Sequence, residues 1–600
     1  MPPYGRGPGG GVSTRAADNK THDVKYVLRK LWKYIYAYRF PMIGVLCLSF
    51  ISNLFALVGP MLSGSAIDAI LDEAGVQYKS VYIYGFMMLG FYVVSAGLSY
   101  LISVCMVRLS QKIVTTMRAD AFESISRLPV KYTDSNAIGD IISKISYDID
   151  TVNTSLSHDI VQILSSVVTV VGSLIMMLTL SPVLILVFAV TIPMAVILTK
   201  VITSKTRPLF RARSRKLGDL NGFVEEMVSG LKTAKAYHRE QYTIDRFDEK
   251  NEEAVQAYYK SEYYGSITGP AVTFVNNLSL SLVGVFGALL CLYKHMQLGE
   301  LTSFILYSRK FSGPINEMAN IIAEMQSALA AGERVFRLID EAPETPDVEN
   351  AVRLTDVQGK VEMKHVSFGY NPEKIVLTDL NLTAEPGSVT AIVGPTGAGK
   401  TTIINLLMRF YDRAGGEILI DGIPIEQISR ESLRKSFAMV LQDTWLFEGT
   451  VFENIAYGCE NATLEDVKRA AKMARISHFI EQLPNGYDTV IMENGGNISK
   501  GQKQLLTIAR AMLLNAKMLI LDEATSNVDT RTEEQIQDAM LMLMKNKTCF
   551  VIAHRLSTIQ HADNILVLNQ GDIVEQGTHA ELMQKEDGFY KKLYCAQFEG

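Results

Sequence analysis

The sequence lacks closely spaced cysteines. Its six cysteines are spread over 600 residues, with no CxxC pair and no spacing that suits zinc. Three of them lie in apolar runs, where a free cysteine behaves as a small hydrophobic residue. The six are Cys47, Cys105, Cys291, Cys459, Cys549 and Cys595. The pattern therefore predicts neither a disulfide framework nor a metal cluster.

Charge is also scarce, and neither sign dominates. Charged residues make up 20% of the chain, whereas a typical soluble protein has ~25%. The 58 basic and 63 acidic residues give a net charge of −5, and a protein that binds nucleic acid through its phosphates is usually distinctly basic. Hydrophobic residues reach 48%, which excludes disorder for most of the chain. The composition predicts a membrane portion and no nucleic-acid partner.

The first residues lack the apolar core of a signal peptide. Residues 1–22 are rich in Gly and Pro, and we predict that they are disordered. Residues 23–40 form a basic, aromatic and amphipathic pattern that is typical of a helix lying at the lipid headgroups. A soluble surface helix is the alternative for this segment.

Long apolar stretches follow. Six of them approach or exceed the ~20 residues that cross a bilayer, which predicts a six-helix transmembrane domain over 41–330. Charged residues, among them Arg309, Lys310, Glu317 and Glu324, interrupt the last stretch, so its lower part is expected to leave the bilayer. Buried helices of a large soluble protein are the alternative, but these rarely repeat at such length. The stretches are 41–66, 81–107, 157–180, 182–203, 267–293 and 298–325.

Basic residues set the predicted orientation. Segments 108–156 and 204–262 carry many Lys and Arg, whereas connections 67–80 and 294–297 carry one Lys each. The positive-inside rule therefore places the two long segments, the N-terminus and everything after the sixth span in the cytoplasm of a multi-pass cell-membrane protein. Helical periodicity continues through these segments, so we expect long cytoplasmic extensions that turn near 131–140 and 230–242.

The character of the chain changes after the last stretch. Residues 331–354 include the acidic, Pro-bearing run EAPETPDVEN and are predicted to be a linker. Over 355–600, short aliphatic runs alternate with helical ones, which indicates an α/β domain with a mostly parallel sheet.

A glycine-rich motif opens the chemistry of this domain. Residues 394–401 match G-x4-G-K-[ST] and directly follow the apolar run 389–393. Glycines let backbone N–H groups surround phosphate oxygens at a helix N-terminus. Lys400 is placed to reach the β- and γ-phosphates of a nucleotide, and the Thr401 hydroxyl to bind Mg²⁺. The predicted nucleotide-binding residues here are Gly394, Pro395, Thr396, Gly397, Ala398, Gly399, Lys400, Thr401 and Thr402.

A second motif is the buried run MLILDE at 518–523. Asp522 is a candidate Mg²⁺ ligand through water, and Glu523 is a candidate base for the attacking water. An apolar strand that ends in two acids is common, so this motif indicates a nucleotide site only in combination with the phosphate loop upstream.

Residues 498–502, which read ISKGQ, lie between these two motifs. With the three motifs in this order, the chain after residue 22 resembles the ATP-binding cassette (ABC) exporters, whose signature reads LSGGQ. Their half-transporters fuse one membrane domain to one nucleotide-binding domain. The other matches are Tyr370 for the adenine-stacking aromatic, Leu441-Gln442-Asp443 for the Q-loop, Asn527-Val528-Asp529 for the D-loop, and Ala553-His554-Arg555 for the switch histidine.

The resemblance implies ATP and Mg²⁺ as ligands and gives each motif a role. Gln442 would sense Mg²⁺ and water, and His554 would position the γ-phosphate. Tyr370 would stack on adenine, and Asp529 would belong to the nucleotide interface. The signature residues Ser499, Gly501 and Gln502 would contact ATP held by the opposite subunit, so a second half-transporter is required.

The signature departs from the family pattern. Lys500 stands where the family usually has Gly, Ile498 stands where it has Leu, and the D-loop reads SNVD rather than SALD. The third signature position does not contact phosphate, so this half-site is still expected to close over ATP. An intact Glu523 beside an off-pattern signature resembles the catalytic subunit of heterodimeric multidrug exporters. A homodimer of this chain is the alternative assembly.

The resemblance implies ATP hydrolysis that drives export of an amphipathic or hydrophobic compound by alternating access. Lipid or peptide translocation by a homodimer is an alternative, and a regulator or ATP-gated channel on the same fold is another. The regulator or channel is disfavoured because an ATP-driven gate must bind ATP but need not hydrolyse it, and the chain keeps Gln442, Glu523 and His554. The sequence names no cargo: polar or adaptable residues in the spans either line a pathway or pack between helices. They are Met176, Met177, Phe274, Asn276, Asn277, Phe304, Tyr307, Arg309, Asn316 and Glu317.

Overall fold

The computed structural model describes residues 23–71, 76–371, 374–442, 444–492, 497–522, 529–552 and 559–598. The described residues form two compact units. The first contains the residues up to Arg127 together with Asn136–Glu341. The second contains Leu128–Ser135 and the residues from Ala342 onward.

The first unit is helical. Its helices, given with the short α4 that belongs to the second unit, are α1 (Val24–Tyr36), α2 (Arg39–Ile70), α3 (Tyr78–Arg127), α4 (Val130–Ser135), α5 (Ile138–Ser143), α6 (Ile149–Thr154), α7 (Ile160–Leu180), α8 (Pro182–Ser229), α9 (Leu231–Ala236), α10 (Glu240–Gly265), α11 (Thr268–Leu292) and α12 (Leu298–Ile339). Two π-helical segments, Lys144–Asp148 and Ser155–Asp159, join α5, α6 and α7 into one rod. An extended Ser181 separates α7 from α8, and Pro182 at the first helical position suits a helix start.

Five helical segments of the described chain are long and apolar enough to cross a membrane. They are Arg39–Ile70, Tyr78–Arg127, Ile138–Leu180, Pro182–Ser229 and Glu240–Leu292. The sixth predicted span lies within α12, a 42-residue helix interrupted by charged residues, and it stays a prediction.

Several helices are much longer than a bilayer requires. The 50 residues of α3 correspond to about 75 Å at 1.5 Å per residue, against a hydrocarbon core of ~30 Å. A short helix follows each of two long ones: α4 comes after α3, and α9 comes after α8. These short helices overlap the segments 131–140 and 230–242, where the sequence predicts turns.

The interior of the first unit is closely packed. Met177, Phe304 and Tyr307 have no exposed surface, and the Tyr307 hydroxyl donates a hydrogen bond to the carbonyl of Leu57 at 2.7 Å. The sequence offered these three residues as candidates for cargo contact. In this structure they pack between helices, whereas Phe274 is 66% exposed.

The second unit is an α/β structure. Its strands are β1 (Val361–Phe368), β2 (Leu377–Ala384), β3 (Val389–Val393), β4 (Gly415–Ile420), β5 (Ile423–Pro424), β6 (Phe437–Val440), β7 (Gly449–Thr450), β8 (Val490–Ile491), β9 (Met518–Asp522), β10 (Thr548–Ile552), β11 (Asn564–Asn569) and β12 (Asp572–Gly577). Its further helices are α13 (Lys400–Leu407), α14 (Arg430–Lys435), α15 (Val451–Ala456), α16 (Leu464–Met473), α17 (Ser477–Gln482), α18 (Lys500–Leu514), α19 (Thr530–Met544), α20 (His579–Met583) and α21 (Phe589–Phe598).

Two sheets organise this unit. The larger has the order β12-β11-β3-β10-β9-β6, and its strands are parallel except for the antiparallel edge strand β12. The smaller, β2-β1-β4-β5, is antiparallel. Strands β9 and β10 are buried on both faces and contribute side chains to two apolar clusters. This burial explains why both strands are continuous apolar runs in the sequence. A helical membrane unit and an α/β unit agree with the predicted fold class.

The acidic segment after α12 is fixed by arginines of the second unit. Glu344 forms two hydrogen bonds to the Arg434 guanidinium, and Asp347 accepts one from Arg430 at 3.0 Å. Arg430 is almost completely buried, so its charge requires such partners. The sequence indicated a linker here, and the structure adds that its carboxylates are anchors.

Candidate active site

The glycine-rich loop and two further predicted site residues, Asp522 and Gln442, lie along one edge of the larger sheet. Strands β3, β10, β9 and β6 are adjacent and parallel, so their carboxyl ends share that edge. The glycine-rich loop follows β3, Asp522 ends β9, and Gln442 lies two residues after β6. Ligands of open α/β sheets bind at this edge.

The glycine-rich loop has a backbone that requires glycine. Gly394, Gly397 and Gly399 have φ values of +156°, +84° and +102°, a region that other residues rarely adopt. A Cβ on Gly394 would lie 2.3 Å from the carbonyl oxygen of Leu568, and one on Gly399 would lie 2.8 Å from Leu377 Cδ2. The loop therefore forms a backbone cradle that a side chain would disrupt.

A cation and a helix N-terminus face this cradle. Gly399 caps α13 without a side-chain hydrogen bond, which leaves the first N–H groups of the helix for an anion. The Lys400 ammonium donates to the carbonyl oxygens of Gly394 and Pro395 at 2.8 and 3.1 Å. Burial lowers the pKa of Lys400, and the charge of Asp522 opposes that shift. Backbone donors and a lysine held at the loop fit a nucleotide's phosphates.

The two threonines after Lys400 differ in their surroundings. Thr401 is exposed, so its hydroxyl is accessible to an ion beside the loop. Thr402 is buried, and its hydroxyl lies 3.2 Å from the hydroxyl of Tyr370. Thr401 and Asp522 carry oxygen atoms of the kind that Mg²⁺ prefers, so both fit the predicted metal site, whereas the Thr402 side chain contacts Tyr370.

Tyr370 is held edge-on by other aromatic rings. Its ring is T-shaped to Phe368 and Tyr411, with centroid distances of 5.0 and 4.9 Å. Asn405 donates a hydrogen bond to its hydroxyl at 3.1 Å. The ring keeps 37% of its surface exposed, so a flat base has a rigid platform on which to stack.

Tyr411 extends this aromatic group to α4. Its hydroxyl donates a hydrogen bond to the Asp134 carboxylate at 2.6 Å, within the second unit. Burial and this hydrogen bond raise the pKa of Tyr411. Tyr411 is not among the site residues predicted from the sequence. Its only signal there is an aromatic residue at the end of the helical run after the phosphate loop.

The signature residues form the N-terminus of α18. Ser499 Oγ accepts a hydrogen bond from the Gln502 amide at 3.3 Å, and Gln502 Oε1 accepts one from the Ser499 amide at 2.9 Å. This reciprocal pair is a capping box. Lys500 is exposed in the first turn, and Gly501 is buried behind it.

Asp529 has a similar local function. Its carboxylate accepts a hydrogen bond from the Thr532 amide at 3.0 Å and so caps α19. That hydrogen bond holds the pKa of Asp529 below its usual value. The structure thus gives Ser499, Gln502 and Asp529 local partners in one chain.

Two predicted catalytic residues, Glu523 and His554, lie outside the described residues. Glu523 follows Asp522 directly, and His554 comes two residues after the end of β10. Gln442 is exposed at the same sheet edge. The catalytic roles of all three stay predictions.

Comparisons with known proteins cover both units. A family model described as ABC transporter transmembrane region matches residues 42–315, and one described as ABC transporter matches residues 377–526.

Individual relatives match over most of their length. The chain is 42% identical over 580 residues to the uncharacterized ABC transporter ATP-binding protein YfiC of Bacillus subtilis, covering 97% of this chain and 96% of the relative. It is 45% identical over 481 residues to the fatty acid ABC transporter ATP-binding/permease protein of Mycobacterium bovis, covering 80% and 76%. A solved structure of a bacterial Atm1-family ABC exporter with ATP bound matches with a TM-score of 0.75 and 30% identity, over 93% of this chain and 98% of that one.

Proposed function

This chain belongs to the ABC transporter family and is an exporter half-transporter that couples ATP hydrolysis to transport as part of a dimer, and from that premise we propose that it exports amphipathic or hydrophobic compounds together with a related partner subunit. The supporting observation is the sheet edge where the phosphate loop, Asp522 and Gln442 meet, in one chain with the apolar helices.

The proposed site divides the work among these residues. Lys400 and the loop amides bind the ATP phosphates, Tyr370 supports the adenine, and Thr401, Asp522 and Gln442 hold Mg²⁺ directly or through water. The metal neutralises phosphate charge when it is bound. Glu523 accepts the proton of the attacking water, and His554 orients the γ-phosphate.

The second subunit completes each site. Ser499, Gly501 and Gln502 of this chain cap the nucleotide bound by the partner, and the partner's signature caps the nucleotide bound here. Because ATP has more contacts in the closed arrangement, its binding favours closure, and hydrolysis reverses that preference. The turn around α4, tied to the nucleotide unit through Asp134 and Tyr411, is the proposed route to the membrane helices.

The related-partner proposal depends on Lys500. An ammonium in the first turn of α18 adds positive charge where the family has glycine. We infer that the nucleotide capped by this signature turns over slowly. The nucleotide bound by this chain's own loop, with Glu523, then turns over quickly.

The cargo class follows from the apolar character of the helices and from the relatives. The mycobacterial relative is named as a fatty acid transporter, which favours a single-chain or amphiphilic lipid as a second candidate cargo. The membrane unit is the part that would contact it, and the exposed Phe274 is a candidate contact.

Transport in inverted membrane vesicles tests the proposal. Vesicles with the complex should take up a fluorescent amphipathic dye or a fluorescent fatty acid when MgATP is added, and those with Glu523→Gln should not. ATP hydrolysis without uptake of either probe would contradict export and would favour the regulator or channel.

A further inference from the structure

An apolar groove lies in the membrane unit between α1 and two other helices. One wall comes from α1, the second from the rod around α6 and α7, and the third from α12. The groove encloses about 270 Å³, and Ser155 is the polar side chain among its described lining residues. Its apolar lining includes Leu28, Leu31, Trp32, Leu156, Ile160 and Met325.

The outer rim of this groove is exposed. Leu28 and Trp32 keep 52% and 60% of their surface exposed, whereas Val27 and Phe336 at the floor are almost completely buried. Large apolar side chains at the rim of a preformed cavity mark a surface that something apolar covers.

The α1 wall is held rigidly in place. Tyr26 and Lys30 both donate to the Asp340 carboxylate, at 2.6 and 2.5 Å. Tyr34 donates to Asp120 at 2.7 Å, and its ring stacks on Phe336 with centroids 5.9 Å apart. The groove is therefore preformed, and an occupant would not need to order its walls.

Three cations flank the exposed rim. Lys25, Arg29 and Lys33 recur every four residues along α1, so they form one stripe beside Leu28 and Trp32. All three are exposed, and within the described chain no carboxylate forms an ion pair with them. Lys30, on another face of the helix, is paired with Asp340. The stripe is available to an external anion.

The position of α1 indicates where that anion lies. A basic amphipathic helix with Trp and Tyr on its surface lies at the headgroup level. The candidate membrane span α2 begins only three residues after α1 ends. The basic stripe and the positive-inside rule assign α1 to the cytoplasmic leaflet. An apolar slot beside cations at this depth matches one ligand class.

We propose that the groove binds an anionic phospholipid of the cytoplasmic leaflet, with part of an acyl chain between α1 and α12 and the phosphate beside Lys25, Arg29 and Lys33. Pockets that enclose a whole drug-sized ligand measure ~300–1,000 Å³. The volume of this groove, about 270 Å³, therefore suits a segment of chain while the headgroup stays outside. The site is separate from the proposed nucleotide site and does not depend on the identity of the cargo.

Trp32 provides a direct probe. The chain has two tryptophans, so replacing Trp445 and any tryptophan of a partner subunit by phenylalanine isolates the fluorescence of Trp32. The complex is reconstituted in vesicles that contain brominated phosphatidylglycerol or brominated phosphatidylcholine. The quenching of Trp32 fluorescence is measured as the fraction of brominated lipid is raised. Its dependence on that fraction gives a relative association constant for each lipid at Trp32. We expect phosphatidylglycerol to be preferred about fivefold or more.

Two kinds of variant locate the binding. Lys25→Gln, Arg29→Gln and Lys33→Gln together should abolish the preference. The control removes the same amount of charge from α8, through Lys200→Gln, Lys205→Gln and Arg207→Gln together, and should leave the lipid preference unchanged.

The second kind of variant changes the groove. Ser155→Leu fills the groove with the cations intact and should also abolish the preference. Gly332→Ala, whose Cβ would lie 3.1 Å from Val27 Cγ1, narrows the floor and should act in the same direction if Ser155→Leu does not fold.

Three results would overturn the proposal. Equal quenching by both lipids in the unmodified complex would mean that the stripe selects no anion. A preference that survives both groove variants would mean adsorption to the membrane surface without an inserted chain. Absence of quenching by either lipid would mean that protein, from this chain or a partner subunit, covers the groove.

Discussion

Two regions of the nucleotide-binding unit carry the ATP motifs, and they use their polar groups differently. The phosphate-loop side comprises Tyr370 and 394–402, and the signature side comprises 498–502 and Asp529. On the phosphate-loop side, three glycines adopt left-handed backbone and a lysine faces loop carbonyls. On the signature side, Ser499, Gln502 and Asp529 each complete a helix cap.

Nucleotide binding is therefore supported in two ways, by local geometry on one side and by family membership on the other. On the phosphate-loop side, a glycine backbone cradle and a lysine lie together at a helix N-terminus, which is an arrangement that suits an anion. On the signature side, helix capping within one chain explains the polar contacts. Contact of this side with a nucleotide bound by the partner is therefore inferred from the family alone. Variants that affect one side and spare the other therefore test the account.

The largest expected effect is on turnover. Glu523→Gln keeps the size and hydrogen-bonding reach of the side chain but removes its basicity, so ATP hydrolysis should fall by about 100-fold or more. Phosphate release from the purified complex measures the loss, and ATP binding should persist. Substantial remaining turnover would mean that another group activates the water or that the partner's site carries the activity.

The next effect is on ATP affinity. Lys400→Ala removes the cation of the cradle, and affinity for MgATP should fall about 100-fold, the size expected when a charged hydrogen bond is lost. Calorimetric titration measures it. Lys435→Ala, which removes an exposed cation outside the loop, is the control and should bind MgATP normally. Tight MgATP binding by Lys400→Ala would mean that the loop is misassigned.

A smaller effect is expected at the aromatic platform. Tyr370→Ala removes the stacking face, and ATP affinity should fall about tenfold. Tyr411→Phe keeps the ring that supports Tyr370 and loses only the hydrogen bond to Asp134, so ATP affinity should stay within about twofold of the original. Equal losses for both variants would show that Tyr370 is not the base platform.

The smallest effect distinguishes capping from nucleotide contact on the signature side. Ser499→Ala removes the cap of α18 and should lower the free energy of unfolding by about 1 kcal/mol. Ser499→Thr keeps a capping hydroxyl and should restore that stability. Thermal unfolding and ATP turnover of both variants are compared. If turnover only follows stability, Ser499 is a cap and makes no contact across the dimer.

The position and backbone of the phosphate loop follow from local features of the sequence. Glycine is favoured where φ is positive, and an apolar run before a helical one places the loop at a strand end. The comparisons confirm the exporter fold and ATP hydrolysis coupled to transport. The five apolar helices come close to the six predicted spans.

Contacts between residues far apart in the chain leave no local pattern in the sequence. Tyr411 and Asp134 are 277 positions apart, and the linker acids meet their arginines about 85 positions away. Apolar periodicity also leaves open which face of a helix is buried. The sequence therefore allowed both cargo contact and helix packing for Met177, Phe304 and Tyr307, and the structure packs them inside the unit. The Ser499–Gln502 capping box is different, because its spacing is visible in the sequence.

The assembly of the chain tests the central claim most directly. We expect that the chain expressed alone forms no stable, ATP-hydrolysing dimer. We also expect that the complex purified from its native membrane contains a second, related subunit by mass spectrometry. In that complex, Lys500→Gly should change turnover only slightly, because Lys500 faces the slower site. A stable assembly of this chain alone that hydrolyses ATP, with turnover clearly altered by Lys500→Gly, would contradict the claim of a related partner.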